Sequence, residues 1–362
     1  MVNDRKKVWL DVDPGHDDAT AILLALHSPQ IELLGISTTH GNAPSDLTAI
    51  NAARCLLAFG AKPDIRVYPG APKPLLKPVQ HDAEIHGPDG LGGVVGLASG
   101  TDSAVLSLIA KNPDGSVVRA LEGMSQAIKK VWIEGSGLEK VTIISSGPMT
   151  NIANFISVYH DLLDAVEEFV FMGGGVGLGN RAAIAEYNVM CDPHAAQIVL
   201  NAPVRTVMIP INVTHTAIAT NDIMTKLLSP AATIGSDSPL PKPETNLRYT
   251  LSTLIGYFAE SYKSTFGFMD GPPMHDALTI AYAAHPELFT ATRFRVDVEL
   301  TGTHSSGQTV VDTWKYQKTD DSWGATGKNC LVVETVNVDG FFNMFLDCVA
   351  RCDKVSPLNR QA

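Results

Sequence analysis

The sequence predicts an α/β protein with a mostly parallel central sheet flanked by helices, and three observations carry that expectation. Short β-branched runs alternate with helical patterning four times along the chain, the signature of βαβ units. The 362 residues are 45% hydrophobic against 18% charged, which suits a substantial packed core. Polar residues also gather just after the expected strands, and in open α/β sheets ligands bind beyond the carboxyl ends of the strands.

The first unit is a strand over 7–13, closed by Pro14-Gly15 and followed by a helix over 17–28 whose Ala, Ile and Leu recur at helical spacing. The order repeats at 31–38 and 45–60, at 141–145 and 150–159, and at 169–172 and 192–201. Further on, 247–266 and 275–285 read as helices, while 293–300, 309–314 and 331–338 read as strands. The stretches 229–245 and 302–328 are rich in Pro, Ser, Thr or Gly, yet neither is biased enough to be an interdomain linker. A single domain over 1–362 is expected.

Charge and cysteine content narrow the function. A net charge of −11 argues against nucleic acid as a partner, because phosphate-backbone affinity needs clustered basic residues. Cys55, Cys191, Cys330, Cys348 and Cys352 are few, odd in number and scattered, so they read as reduced thiols. The apolar run near the N-terminus is too short for a signal peptide, and no 18-residue apolar stretch follows. A cytoplasmic protein with no membrane partner is expected.

The densest cluster is Asp11-Val-Asp13-Pro-Gly-His-Asp17-Asp18, four carboxylates in eight residues at the end of a buried strand. Like charges this close raise one another's pKa unless a cation compensates. A lone Asp there would serve as a helix cap; four together favour a metal. Carboxylates without Cys or His pairs are hard donors suited to Ca²⁺ or Mg²⁺ and not Zn²⁺. The glycine loop Gly173 to Gly179 lacks the Lys-Ser/Thr of a P-loop, so its glycines serve tight turning or close backbone approach.

Three further clusters stand out: Ser146-Gly-Pro-Met-Thr-Asn151, Asn180 with Glu186-Tyr187-Asn188, and Gly271-Pro-Pro-Met-His275-Asp276. Each alone has a plain explanation as a turn, a surface charge or a helix cap. Taken in order with the opening octad, the Met172-Gly-Gly-Gly loop, the Ala-Glu-Tyr-Asn run and the late His-Asp, the chain resembles the inosine-uridine type nucleoside hydrolases, calcium-using N-ribohydrolases, from Val8 to about Val338.

That resemblance implies an open α/β fold of the nucleoside hydrolase kind and hydrolysis of ribonucleosides to ribose and a free base, with a lean to uridine. It implies Ca²⁺ ligands at Asp13, Asp18, the main-chain oxygen of Ser146 and Asp276, with Asp13 also the general base and His275 the leaving-group acid. Asp17 and Asn188 match residues that hold the ribose 2′ and 3′ hydroxyls, Asn180 and Glu186 those near the 5′ hydroxyl, and Asn42 one beside the attacking water. Met172 falls among the substrate-binding positions, and Tyr187 replaces a more frequent Phe and could add a hydroxyl near the sugar. His86 and Tyr262 fall on the base side, with His86 the rival acid. The only partner implied beyond the small-molecule ribonucleoside is a second copy or more of the chain, as a homodimer or homotetramer. Ser146 stands for the commoner Thr and Ala277 for a Pro, and neither change removes a ligand.

Two other readings remain at this point. A Mg²⁺-dependent phosphohydrolase would use Asp11 and Asp13 as its Asp-x-Asp pair, but Pro14-Gly15 follow where Thr or Val is needed. A catalytically inactive metal-binding scaffold would be favoured by loss of the base or a ligand, and none is lost.

Overall fold

The computed structural model describes residues 5–232 and 239–360. The sheet is organised around β1 (Lys6–Val12), whose alternation sends Val8, Leu10 and Val12 into one hydrophobic core and Trp9 into a second on the opposite face. β2 (Ile31–Thr38) and β4 (Val141–Ser145) flank it, both parallel. β3 (Val67–Pro69) lies beyond β2, and β5 (Val166–Met172) and β6 (Arg205–Ile209) lie beyond β4. β10 (Cys330–Val336) continues in parallel, and β7 (Phe289–Phe294) closes the edge antiparallel to it. The eight-stranded order is β3-β2-β1-β4-β5-β6-β10-β7, and a separate antiparallel pair joins β8 (Val296–Val298) to β9 (Thr309–Val311).

This order places the functional residues. The chain builds outward from β1 through β2 to β3, then returns to add β4 on β1's other side, so connections leave the sheet in opposite directions and open a crevice at the carboxyl ends of β1 and β4. The acidic octad and Ser146 are the residues at those two ends.

Helix His16–His27 leaves β1 directly and is buried from His16 to Ala25, because helices Ala277–Ala284 and Val338–Asp353 pack over it. Asp276 immediately precedes Ala277–Ala284, so the packing of two helices brings it to the octad. On the other face, helices Ala120–Glu134, Thr150–Val158 and Pro193–Leu200 cover the sheet around Phe155, Phe169 and Phe171.

Most elements fall where the sequence pattern puts them, and the differences have physical causes. The run expected as one strand over 293–300 divides at Arg295, since β7 pairs with β10 while β8 turns away to pair with β9. The strand at 309–314 stops at Val311, where that short pairing ends. β3 and β6 are too short for periodicity to mark them as strands. Helix Ala120–Glu134 has no counterpart among the expected helices, and Val338–Asp353 carries Cys348 and Cys352 into the core as buried thiols. Part of 229–245, namely 233–238, lies outside the described residues. Among the described residues no helix is long and apolar enough to cross a membrane.

Phe345 is fully buried in the core that presses Val338–Asp353 onto helix His16–His27. Phe345→Ala is expected to cost about 3–5 kcal/mol by urea unfolding with an unchanged m value; a loss below about 1 kcal/mol would contradict this packing.

Candidate active site

Asp11, Asp13 and Asp18 leave the same strand end but meet different surroundings. Asp11 is fully buried; its Oδ1 accepts from the Ser37 hydroxyl and from Asn151 Nδ2 at 2.8 Å. Burial raises its carboxyl to about 7 against these hydrogen bonds. Asn151 also donates to the Thr38 carbonyl and accepts from Ala71 N–H, so Asp11 ties β1 to β2 and to the loop after β3. With Asp11 so committed, the Asp11/Asp13 pair of a phosphohydrolase is not supported.

Asp13 sits in a tighter cradle. Its Oδ2 accepts from the Asn42 backbone N–H at 2.8 Å, while Oδ1 is buried with no hydrogen-bond partner among the described residues. A Cβ on Gly41 or on Gly147 would overlap its carboxylate, and Gly41 lies at φ 149°, where a side chain is strained in any case. Asp18 is held by four donors: Ser146 Oγ at 2.6 Å and Asp13 N–H at 3.3 Å on Oδ1, Gly15 N–H at 3.0 Å and Asn42 Nδ2 at 3.1 Å on Oδ2. Asp17, Asp18 and Asp276 each bring an oxygen within 4.8 Å of the others. Burial first, and then the neighbouring acids, push Asp13 and Asp276 well above the usual carboxylate range; Asp17 and Asp18 are raised as well, chiefly by burial.

Such a set is poor at holding its own negative charge and well made for a cation. Asp13 Oδ1 and Asp17 Oδ1 are both buried and without a hydrogen-bond partner among the described residues, and the Ser146 carbonyl lies nearby, accepting from Asn188 Nδ2 at 2.7 Å. All donors are oxygens, so the site fits a hard divalent ion. The basic residue on the rim, Arg181, is engaged by Asp82 at 3.0 Å and Glu84 at 2.8 Å.

Above the carboxylates lies one cleft, lined by Asp17, Asp276, Ser146 and Asn42 at its floor and by Met172, Asn180, Glu186, Tyr187 and Asn188 along one wall. Glu186 caps helix Tyr187–Cys191, accepting from Asn188 and Val189 N–H, and takes Gly174 N–H at 2.9 Å. Asn180 Oδ1 accepts from Arg181 and Tyr187 N–H, which leaves its Nδ2 for a ligand. The Tyr187 hydroxyl donates to the Gly41 carbonyl at 3.0 Å and steadies the turn that carries Asn42.

The opposite wall is aromatic. His275 bonds Tyr262 Oη through Nε2 and Thr214 Oγ1 through Nδ1, both at 2.7 Å. His86 Nδ1 accepts from the His16 backbone N–H, and the two rings stack beside Phe258 and Tyr257. Burial holds His86 and His275 well below the usual histidine range and His16 down to about 4, so these imidazoles are neutral at pH 7. The cleft between the walls is narrow, with about 40 Å³ open to the centre of a water-sized sphere.

The cleft thus collects every expected residue except Asp13 and Asp18, which lie beneath it as buried carboxylates. His16, Asp82 and Arg181 were missed as site residues. His16 stood inside the octad and Arg181 beside Asn180, but Asp82 had no motif to mark it.

A family model described as "Inosine-uridine preferring nucleoside hydrolase" matches residues 8–343. The chain belongs to this family. It is 34% identical to a probable ribonucleoside hydrolase of Dictyostelium discoideum over 95% of this chain and 94% of that one. It is likewise 34% identical to the pyrimidine-specific ribonucleoside hydrolase RihA of Shigella boydii, over 94% and 97%. A purine-preferring ribonucleoside hydrolase from Gardnerella vaginalis superimposes with a TM-score of 0.77 at 27% identity, covering 97% of this chain and all of that one.

The protein is therefore a ribonucleoside hydrolase, an enzyme acting on a small-molecule nucleoside. Its family is metal-dependent, and the buried acids supply a donor set for the ion. In this nucleoside hydrolase the mostly parallel sheet expected from the sequence positions that set at the β1/β4 crevice.

Two outcomes follow from this geometry. Gly147→Ala drives a methyl into the Asp13 carboxylate; because a displacement near 1 Å can cost about 10²-fold, turnover should fall by roughly that factor with the melting temperature little changed. Wild-type turnover would show that the cradle is not needed. The second outcome concerns pH. Carboxyls raised in the folded state hold protons that the unfolded chain releases, so in chelator-treated protein stability falls as pH rises from about 4 through about 7 to about 8, the window set by Asp11 and Asp17. A divalent cation should flatten that slope and raise the melting temperature most at the alkaline end; equal slopes with and without the cation would contradict the assignment.

Proposed function

We propose that this nucleoside hydrolase cleaves the N-glycosidic bond of ribonucleosides with Asp13 as general base and calcium as its metal, and that uridine is a preferred substrate. The observation that carries the reading is the buried, unpartnered Oδ1 of Asp13 beside the Asp17, Asp18 and Asp276 carboxylates. Asp13, Asp18, the Ser146 carbonyl and Asp276 would hold the ion, which supplies positive charge to orient the ribose diol and acidify the attacking water.

The residues of the chain do the rest. Asp13, aimed by Asn42 N–H on its other oxygen, takes the proton of the water. Asp17 and Asn188 grip the 2′ and 3′ hydroxyls, and Asn180 and Glu186 receive the 5′ end. Cleavage builds positive charge on the ribose, and a floor of carboxylates stabilises it. The departing base needs a proton. Both nitrogens of His275 are engaged, so its path to the base runs through the Tyr262 hydroxyl; His86, with Nδ1 taken by His16 N–H, is left to present Nε2. The lean to uridine rests on the pyrimidine-specific relative.

Base release from uridine, cytidine, inosine and adenosine, compared side by side, tests the reading. Asp13→Asn should cut turnover about 10² to 10⁴-fold with the fold intact, and 2′-deoxyuridine should be about 10⁴-fold poorer than uridine, because buried groups would be left unpaired. His275→Ala and Tyr262→Phe should depress uridine hydrolysis far more than that of p-nitrophenyl riboside, whose phenolate leaves unaided. If His86→Ala gives that selective loss and the other two do not, the roles are exchanged; undiminished turnover in Asp13→Asn would overturn the proposal.

A further inference from the structure

The glycine loop that leaves β5 is held from outside by two side chains remote in sequence. Thr309, at the start of β9 and 2% exposed, accepts from Gly175 N–H at 2.9 Å and donates to the Gly175 carbonyl at 2.7 Å. Its one hydroxyl thus answers both polar groups of one residue, as a neighbouring strand would. Asn212 repeats the arrangement on the next residue, with Val176 N–H donating to Oδ1 at 2.8 Å and Nδ2 donating to the Val176 carbonyl at 3.2 Å. Contact is close as well: Gly174 lies at φ 73°, and a Cβ there would meet Thr309 Cγ2 and Oγ1.

The clamped stretch borders the site on both sides. Upstream in the loop, Gly174 N–H is bonded to Glu186; downstream, the loop runs through Gly177 and Gly179 to Asn180, whose side-chain oxygen is fixed by Arg181 and Tyr187 N–H. Without the clamp three of the intervening residues are glycines, with little intrinsic preference for one conformation.

We propose that Thr309 and Asn212 are positioning residues that hold the glycine loop so that Asn180 and Glu186 meet the 5′ hydroxyl of the ribose. The segment 302–328 then has a role in the reaction: its strand β9, paired with β8, delivers the Thr309 hydroxyl to the loop. The inference rests on the reading of Asn180 and Glu186 as the 5′ contacts.

The test is the ratio of kcat/KM for uridine to that for 5′-deoxyuridine, or the same ratio for inosine if inosine is turned over faster. Thr309→Val keeps the shape and removes the hydroxyl; losing a hydrogen bond on each side of Gly175 should shrink the ratio about tenfold, through a fall on uridine with 5′-deoxyuridine unchanged. Thr309→Ser should restore it, and Asn212→Ala, at an exposed position, should lower it in the same direction even if Thr309→Val does not fold. Equal losses on both substrates, or an unchanged ratio in Thr309→Val or in Asn212→Ala, would overturn the proposal. Asn180→Ala separates the two claims: if it leaves the ratio intact, the reading of the 5′ contacts has failed; if it collapses the ratio while the clamp variants do not, only the clamp has.

Discussion

The structure depends on one electrostatic constraint: several carboxylates are kept out of water at the meeting point of β1, β4 and helix Ala277–Ala284. Asp13 and Asp18 are fully buried, Asp276 nearly so, and Asp17 is 7% exposed. Charges of one sign in that setting cannot all be ionised without a compensating cation. What surrounds them is arranged to keep them in place and not to neutralise them. Gly15 and Asp13 N–H, the Ser146 hydroxyl and Asn42 fix Asp18, while the bare faces of Gly41 and Gly147 leave room for Asp13.

The rest of the fold serves that point. The reversal of strand order between β1 and β4 creates the crevice, and the burial of helix His16–His27 under two other helices brings Asp276 across to it. The two walls differ in chemistry: amides and Glu186 line one, and neutral imidazoles among aromatic rings line the other. His16 links the two chemistries, because its backbone N–H aims His86 while the same helical turn presents Asp17 and Asp18.

The sequence made the centre of the site legible and the edges not. Four acids at the end of a buried strand announce themselves, since only a cation reconciles them, and strand–helix alternation says which end of the sheet to search. Asn42, Asn188 and His275 could be placed only through resemblance, for a lone Asn or His has no pattern of its own. The direction of the Tyr187 hydroxyl was beyond reach because it is set by Gly41, 146 residues away. Thr309 was hidden for the same reason: its partner is 134 residues distant, and the first residue of a short expected strand carries no motif of its own. β3 and β6 were missed because runs of three and five residues carry too little periodicity to count.

The most direct measurement of the central claim is calorimetric titration of the metal-stripped protein with calcium near pH 7, repeated in buffers of different ionisation enthalpy. If raised pKa values mark a carboxylate cage for a cation, binding must release protons, and the apparent heat will change with the buffer in proportion to at least about one proton per ion. Binding should also be lost in Asp276→Asn. Heats independent of the buffer, or no saturable binding at all, would contradict the account.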